Sequence, residues 1–254
     1  MVRPIVPLVS AAAAALLGFA CAHEAAKPPV HPPGEAKSQE TELLQPGATE
    51  LQGHAPIGQL DVYLDAFHVM KDDPHLFLEA HHYCAAKNED FMQCVLFDGN
   101  GADANLVGVE YIISERLFDG LPDEEKKLWH PHDYEILSGQ LVAPGIPEAA
   151  EHELVKKKMN SYGKTWHLWD TGHFGRPQRD ALPVGTPTLA WSFNADGEAP
   201  PQMVAERDRR VGVDTEERRR DRADLRPLAH PQEGVNDLAR FFPDRRVPDF
   251  VKPK

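Results

Sequence analysis

Residues 76–84, 91–98 and 106–113 constrain this chain most. They are three apolar, strand-like runs, broken by the polar stretch 86–90 and by Gly99-Asn100-Gly101. Such runs suit a pleated, half-buried surface, and such breaks suit tight turns. The short connections predict antiparallel neighbours. Cys84 and Cys94 flank the first break, and a register that pairs them puts them directly opposite each other. In an oxidising compartment they would form a disulfide; otherwise they are two buried thiols.

The remaining segments fill out a mixed fold. Residues 60–70 fit either a helix face or an alternating strand. Residues 134–142, 165–170 and 188–193 read as strands. Ser114 opens a short helix, and a second begins near Pro122. Residues 147–162 read as the clearest helix, with Pro147 in its first turn, acids early, Lys156 to Lys158 late and Gly163 at its end. The pattern predicts an α+β single domain, mainly antiparallel sheet with helices packed on one side.

The ends read differently. Arg3 precedes the apolar run 5–19, which is too short for a comfortable membrane span and fits a secretory signal. Cys21 follows the small residue Ala20, as in a bacterial lipoprotein signal whose cysteine is acylated after cleavage. The alternative is ordinary secretion with a cut after Ala20-Cys21-Ala22. Both place the chain outside the cytosol, and the first predicts a membrane-anchored protein of the cell envelope, periplasmic or on the outer surface. Residues 22–58 carry Pro28-Pro29 and Pro32-Pro33 and almost no large apolar residue before Leu43, so they read as a disordered tether. Residues 206–226 are rich in Arg, but their acids nearly balance the bases. They read as solvated helix laced with opposite-charge pairs rather than as a phosphate-binding patch. The expected division is 1–21 signal, 22–58 tether, 59–195 domain and 196–254 charged, partly helical tail. A net charge of -13 argues against a nucleic-acid partner and against electrostatic docking on anionic lipid.

The residue types that could carry chemistry are histidine and glutamate. His82 falls on the face shared by Met92, Cys94 and Leu96, and Glu110 interrupts an apolar strand. An inward carboxylate needs a cation, a donor or a metal. His130 and His132 are spaced for one side of an extended segment. His82, Glu110, His130 and His132, with His68 as a further member, form a plausible set for a divalent metal such as zinc, iron or manganese. The same residues could instead pair with each other as a buried network. No Gly-x-Ser-x-Gly, P-loop or dinucleotide motif occurs.

Phe67-His68-Val69, His81-His82-Tyr83, Gln93-Cys94, the Gly108 to Ile112 strand, Trp129 to Glu135 with Ser138-Gly139, and Tyr162-Gly163-Lys164 followed by Trp166 occur in that order. This series resembles the oil body-associated proteins, which share a domain of unknown function, over roughly residues 60–193. The resemblance implies a strand at 60–70. Plant members associate with lipid droplets, so it also implies a lipid-related role. The expectation is a lipid-associated, non-enzymatic envelope lipoprotein; the alternative is a metal-dependent periplasmic enzyme built on the His/Glu cluster.

Overall fold

A computed structural model describes residues 25–254. The signal-like segment and Cys21 lie outside the described residues. Strands β1 (Val62–Met70), β2 (Phe77–Asn88), β3 (Phe91–Phe97) and β4 (Leu106–Ile113) form an antiparallel meander. A two-residue strand, β5 (His130–Pro131), then precedes β6 (Tyr162–His167) and β7 (Thr188–Ser192). β7 pairs with both β6 and β1, and β6 pairs with β4. The sheet therefore closes into a six-stranded antiparallel barrel, with β5 added beside β6.

Closure decides what each strand presents. Side chains alternate along a strand, so one set from every strand faces a common interior. The registers align Leu64, Ala66 and His68 of β1 with His82, Ala80 and Leu78 of β2. His82 and Cys84 align with Leu96 and Cys94 of β3, which align with Gly108 and Glu110 of β4. Glu110 then faces Thr165 of β6, and Gly108 faces His167. Cys84 and Cys94 are joined by a disulfide inside the wall. The expected pairing of 84 with 94 holds, and 60–70 is a strand.

Helices cover the outside. The short helices α2 (Glu115–Asp119) and α3 (Asp123–Lys126) follow β4, and α4 (Asp133–Leu137) follows β5. α5 (Glu148–Lys156), α6 (Pro201–Val211) and α7 (Thr215–Asp221) complete the layer. A buried cluster including Phe67, Val69, Ile136, Leu137, Phe193 and Met203 joins this layer to the barrel wall.

Several expectations change. Residues 134–142, expected as a strand, begin as α4 and turn at Gly139, whose φ is 82°. A Cβ at Gly139 would meet the backbone of Thr215, so close approach of α7 as well as the turn demands glycine. The helix expected over 147–162 stops at Lys156, and Gly163 is a strand residue of β6. The Arg-rich segment is solvated on one face only. Arg207 and Arg222 are fully buried, and Arg222 Nη1 donates to the carbonyls of Ile136 and Leu141 at 2.7 and 2.8 Å. These bonds tie Arg222 to the end of α4 and to the turn that follows it. Arg218 and Arg222 clamp Glu151 at 2.7 and 3.3 Å. Beside local pairs such as Arg207–Asp208, the buried arginines therefore make long-range ones. The expected tether is also partly held. The Asn105 side chain donates to Val30 O, and Arg179 donates to Pro29 O. Beyond it, residues 39–52 form an exposed helix with Pro46 inside and no buried residue.

A candidate metal centre inside the barrel

His68, His82, Glu110, His130 and His132 converge in the barrel interior, each nearly or fully buried. They come from β1, β2, β4, β5 and the start of α4. The two oxygens of Glu110 face different histidine pairs. Oε2 lies 2.9 Å from His82 Nε2 and 3.8 Å from His68 Nε2, and those two nitrogens are 3.3 Å apart. Oε1 lies 3.3 Å from His132 Nε2 and 3.6 Å from His130 Nε2, which are 3.2 Å apart.

Room for this convergence is made by Gly163. It pairs with both Ile112 and His130, so it lies where β5 joins the barrel wall. A Cβ there would collide with Glu110 Oε1 and lie 2.5 and 2.7 Å from Nε2 of His132 and His130. Any side chain at 163 would occupy the point on which the ligand atoms converge.

Outer contacts fix how the rings present themselves. His82 Nδ1 is 3.0 Å from the carbonyl of Ala80, which can only accept, so Nδ1 carries the proton. His132 Nδ1 is 2.8 Å from Ser161 Oγ, whose own hydrogen goes to Lys158 O. Nδ1 therefore donates there too. In neutral rings both Nε2 atoms are then lone pairs aimed at Glu110. His68 Nδ1 is 3.1 Å from Nε2 of His167, a further buried ring. His130 Nδ1 has no hydrogen-bond partner, and its ring instead lies edge-on to Trp191.

The electrostatics follow from burial. Burial pushes the rings of His130 and His167 down to about 3 and holds His68 well below the usual imidazole range. Burial also opposes ionisation of Glu110, but its contacts with His132 and His82 outweigh it and hold the carboxyl well below the usual range. Glu135, 3.9 Å from His132 Nε2, is pushed well above its usual range by burial and by the charge of Glu110. The centre thus sets an anionic Glu110 beside the neutral rings of His68 and His130 and a Glu135 that burial keeps protonated. Two lone pairs at 2.9 Å need a cation between them, either a proton or a metal ion.

His82, Glu110, His130 and His132 thus come together, with His68 beside His82 and Glu110. The sequence reading left out His167, Gly163 and Thr165. His167 was detectable by alternation from Thr165, since both face inward. Gly163 was hidden by its apparent place at a helix end. Past His167 the barrel mouth opens into a cleft of about 330 Å³, walled by Met70, Leu76, Leu78 and Trp169, with Asp170 and Asp180. His167 lies at its inner side, between the cleft and His68.

A closed antiparallel barrel around a buried imidazole–carboxylate centre defines the class of this protein. A family model described as a protein of unknown function (DUF1264) matches residues 54–226. The chain is 40% identical over 209 residues to oil body-associated protein 1B of Arabidopsis thaliana, covering 82% of this chain and 83% of that protein. It is 39% identical over 207 residues to oil body-associated protein 1A of Zea mays, covering 82% and 84%. Oil body-associated protein 2A of Zea mays is 38% identical, covering 81% of each. The chain belongs to the oil body-associated protein family. No solved structure matches it.

Proposed function

We propose that this protein is a metalloprotein whose barrel holds a divalent transition metal on His68, His82, Glu110, His130 and His132. One observation carries the reading: rings with Nδ1 committed to donate aim Nε2 lone pairs at the same carboxylate, at 2.9 and 3.3 Å. A network of protonated rings would instead bury positive charge away from water, which is costly unless every charge is fully paired. Imidazole with carboxylate suits zinc, iron or manganese. The test is elemental analysis of the purified full chain, followed by thermal unfolding with and without chelator. Bound transition metal and a chelator-sensitive Tm support the reading. Metal-free protein that takes up no added ion, with a Tm indifferent to chelator, overturns it.

A second reading rests on the relatives, whose names place them on oil bodies. We propose that this chain also associates with lipid. An outer groove of about 400 Å³ lined by Ile57, Leu60, Tyr83, Val95, Phe97 and Leu106 offers apolar surface for that role. The exposed Leu43, Leu44 and Leu51 of the helix over 39–52 add to it. The finer form of this reading is an envelope lipoprotein acylated at Cys21. Flotation of the full chain with phospholipid-coated triacylglycerol droplets tests lipid association. Incorporation of labelled fatty acid, abolished in Cys21→Ser, tests the anchor.

A further inference from the structure

The geometry points to a centre for two divalent ions, bridged by Glu110, rather than for one. This rests on the metalloprotein reading and goes beyond it. The ligand atoms form two separate triads, His68 with His82 and Glu110, and Glu110 with His130 and His132. Each triad has its own carboxylate oxygen. The first has edges of 2.9, 3.3 and 3.8 Å. Three atoms so spaced lie on a circle of radius about 2.0 Å, which is the zinc–nitrogen and zinc–oxygen distance. The second has edges of 3.2, 3.3 and 3.6 Å. Its circle again has a radius of about 2.0 Å.

Each triad alone is thus the size of one ion's ligand set. The two do not merge into one: the ligand atoms of the four rings and Glu110 do not all lie within 4.8 Å of one another. Two ligands on opposite sides of a single ion stand only about 4.2 Å apart, twice the metal–ligand distance. As the side chains stand, one ion cannot take all four rings. A carboxylate that gives one oxygen to each of two ions is the arrangement that uses all four rings, and paired ions typically stand about 3.5–4 Å apart.

The surroundings agree. Two ions add positive charge to a carboxylate that has four histidine neighbours and no arginine or lysine among its ion-pair partners. Each triad supplies two nitrogens and one oxygen, leaving open positions for water or a small oxyanion on each ion. Thr165 lies directly across from Glu110, fully buried, and its hydroxyl has no hydrogen-bond partner. A water or oxyanion held on the ions would give that hydroxyl its partner.

The experiment is metal titration of the full chain. The chain is stripped and reloaded with Mn²⁺, bound metal is counted after gel filtration, and the EPR spectrum is recorded. Two equivalents with the exchange-coupled signal of a close manganese pair support the proposal. The paired variant His130→Ala with His132→Ala should then retain one equivalent and lose the coupling. The converse variant, His68→Ala with His82→Ala, gives an independent check if the first fails to fold. One equivalent with an isolated Mn²⁺ spectrum in the unaltered chain overturns the paired centre while leaving the metalloprotein reading standing. No bound ion with any divalent metal overturns both.

Discussion

The two faces of the barrel wall carry the same residue types and solve the same problem differently. On the outer face Asp65, Glu79 and His81 sit together, and on the inner face His68, His82 and Glu110 do. Burying a carboxylate without a cation is costly. Outside, α6 supplies the cations. Arg207 reaches Asp65 Oδ1 at 3.2 Å, and Arg210 pairs with Glu79. Tyr63 adds a contact to His81 at 2.8 Å. Inside, no inward-facing strand position among the described residues is lysine or arginine. The outer cluster therefore completes itself, and the inner one offers its lone pairs to something else. A group of histidines and carboxylates is thus a site only when the fold withholds its own cation.

The largest effect should come from breaking the outer solution. Arg207 and Asp65 are both fully buried, and Arg207 also donates to Gln140 O at 2.8 Å and Thr215 Oγ1 at 3.1 Å. Arg207→Met keeps bulk but strands the Asp65 charge. Denaturant unfolding should show a loss of about 3–5 kcal/mol. Adding Asp65→Asn should recover much of it, because the stranded charge is then gone. Metal content of any folded fraction should be unchanged; a loss of metal would mean that the two faces are not independent.

The inner face should respond to acid. His130 and His167 are held to about 3, below the ordinary imidazole value of 6.5. As pH falls below 6.5 the unfolded chain takes up protons that the folded rings refuse, so stability present above pH 6.5 is lost toward pH 3. Glu110, held well below its usual value of 4.5, adds a loss in the same direction below pH 4.5. Metal-free protein should lose on the order of a few kcal/mol between pH 7 and 4.5. A flat urea midpoint over that range would mean that these rings are not buried as neutral groups.

The strands and the inner cluster were legible in the sequence, while closure and the outer cations were not. Alternation shows that His82 and Glu110 face inward, because each interrupts an apolar set with a period of two. The Cys84–Cys94 register was readable from a single hairpin. Nothing local tells β6 to pair with β4 or β7 with β1, since those partners lie 49 residues or more apart. The α4 segment misled because Tyr134, Ile136 and Leu137 are all buried, between barrel and outer helices, and an element buried all round has no clear period. Arg207 and Arg222 looked solvated because their partners, Asp65 and the end of α4, are more than eighty residues away. Local charge balance cannot reveal long-range pairing.

A middle-sized effect should come from His167, which holds His68 without belonging to either triad. Groups that orient a metal ligand through its second nitrogen typically change affinity about 10–100-fold when removed. His167→Ala should weaken binding by such a factor while leaving the total number of ions unchanged at saturation. His167→Asn, which keeps a polar group near His68 Nδ1, should recover part of it. Competition against a metal-sensitive dye reads both. An unaltered affinity in His167→Ala would show that His68 needs no outer partner.

The smallest effect should come from the outer pair nearest solvent. Arg210 and Glu79 are each about 16% exposed at the side chain, in contrast to the fully buried Arg207 and Asp65. Burial, then the neighbouring Asp65, pushes the Glu79 carboxyl up to about 7, while Arg210 acts against that rise. Arg210→Ala leaves a carboxyl that can take a proton near neutral pH. The loss should therefore stay near 1 kcal/mol at pH 6 and grow as pH rises through 8 and Glu79 is forced to ionise. The sign follows from linkage: a raised carboxyl is relieved by protonation below its folded value and strained above it. Urea midpoints at pH 6 and 8 measure the difference. Equal losses at both would show that Glu79 is charged throughout, and that the outer face depends on both arginines rather than chiefly on Arg207.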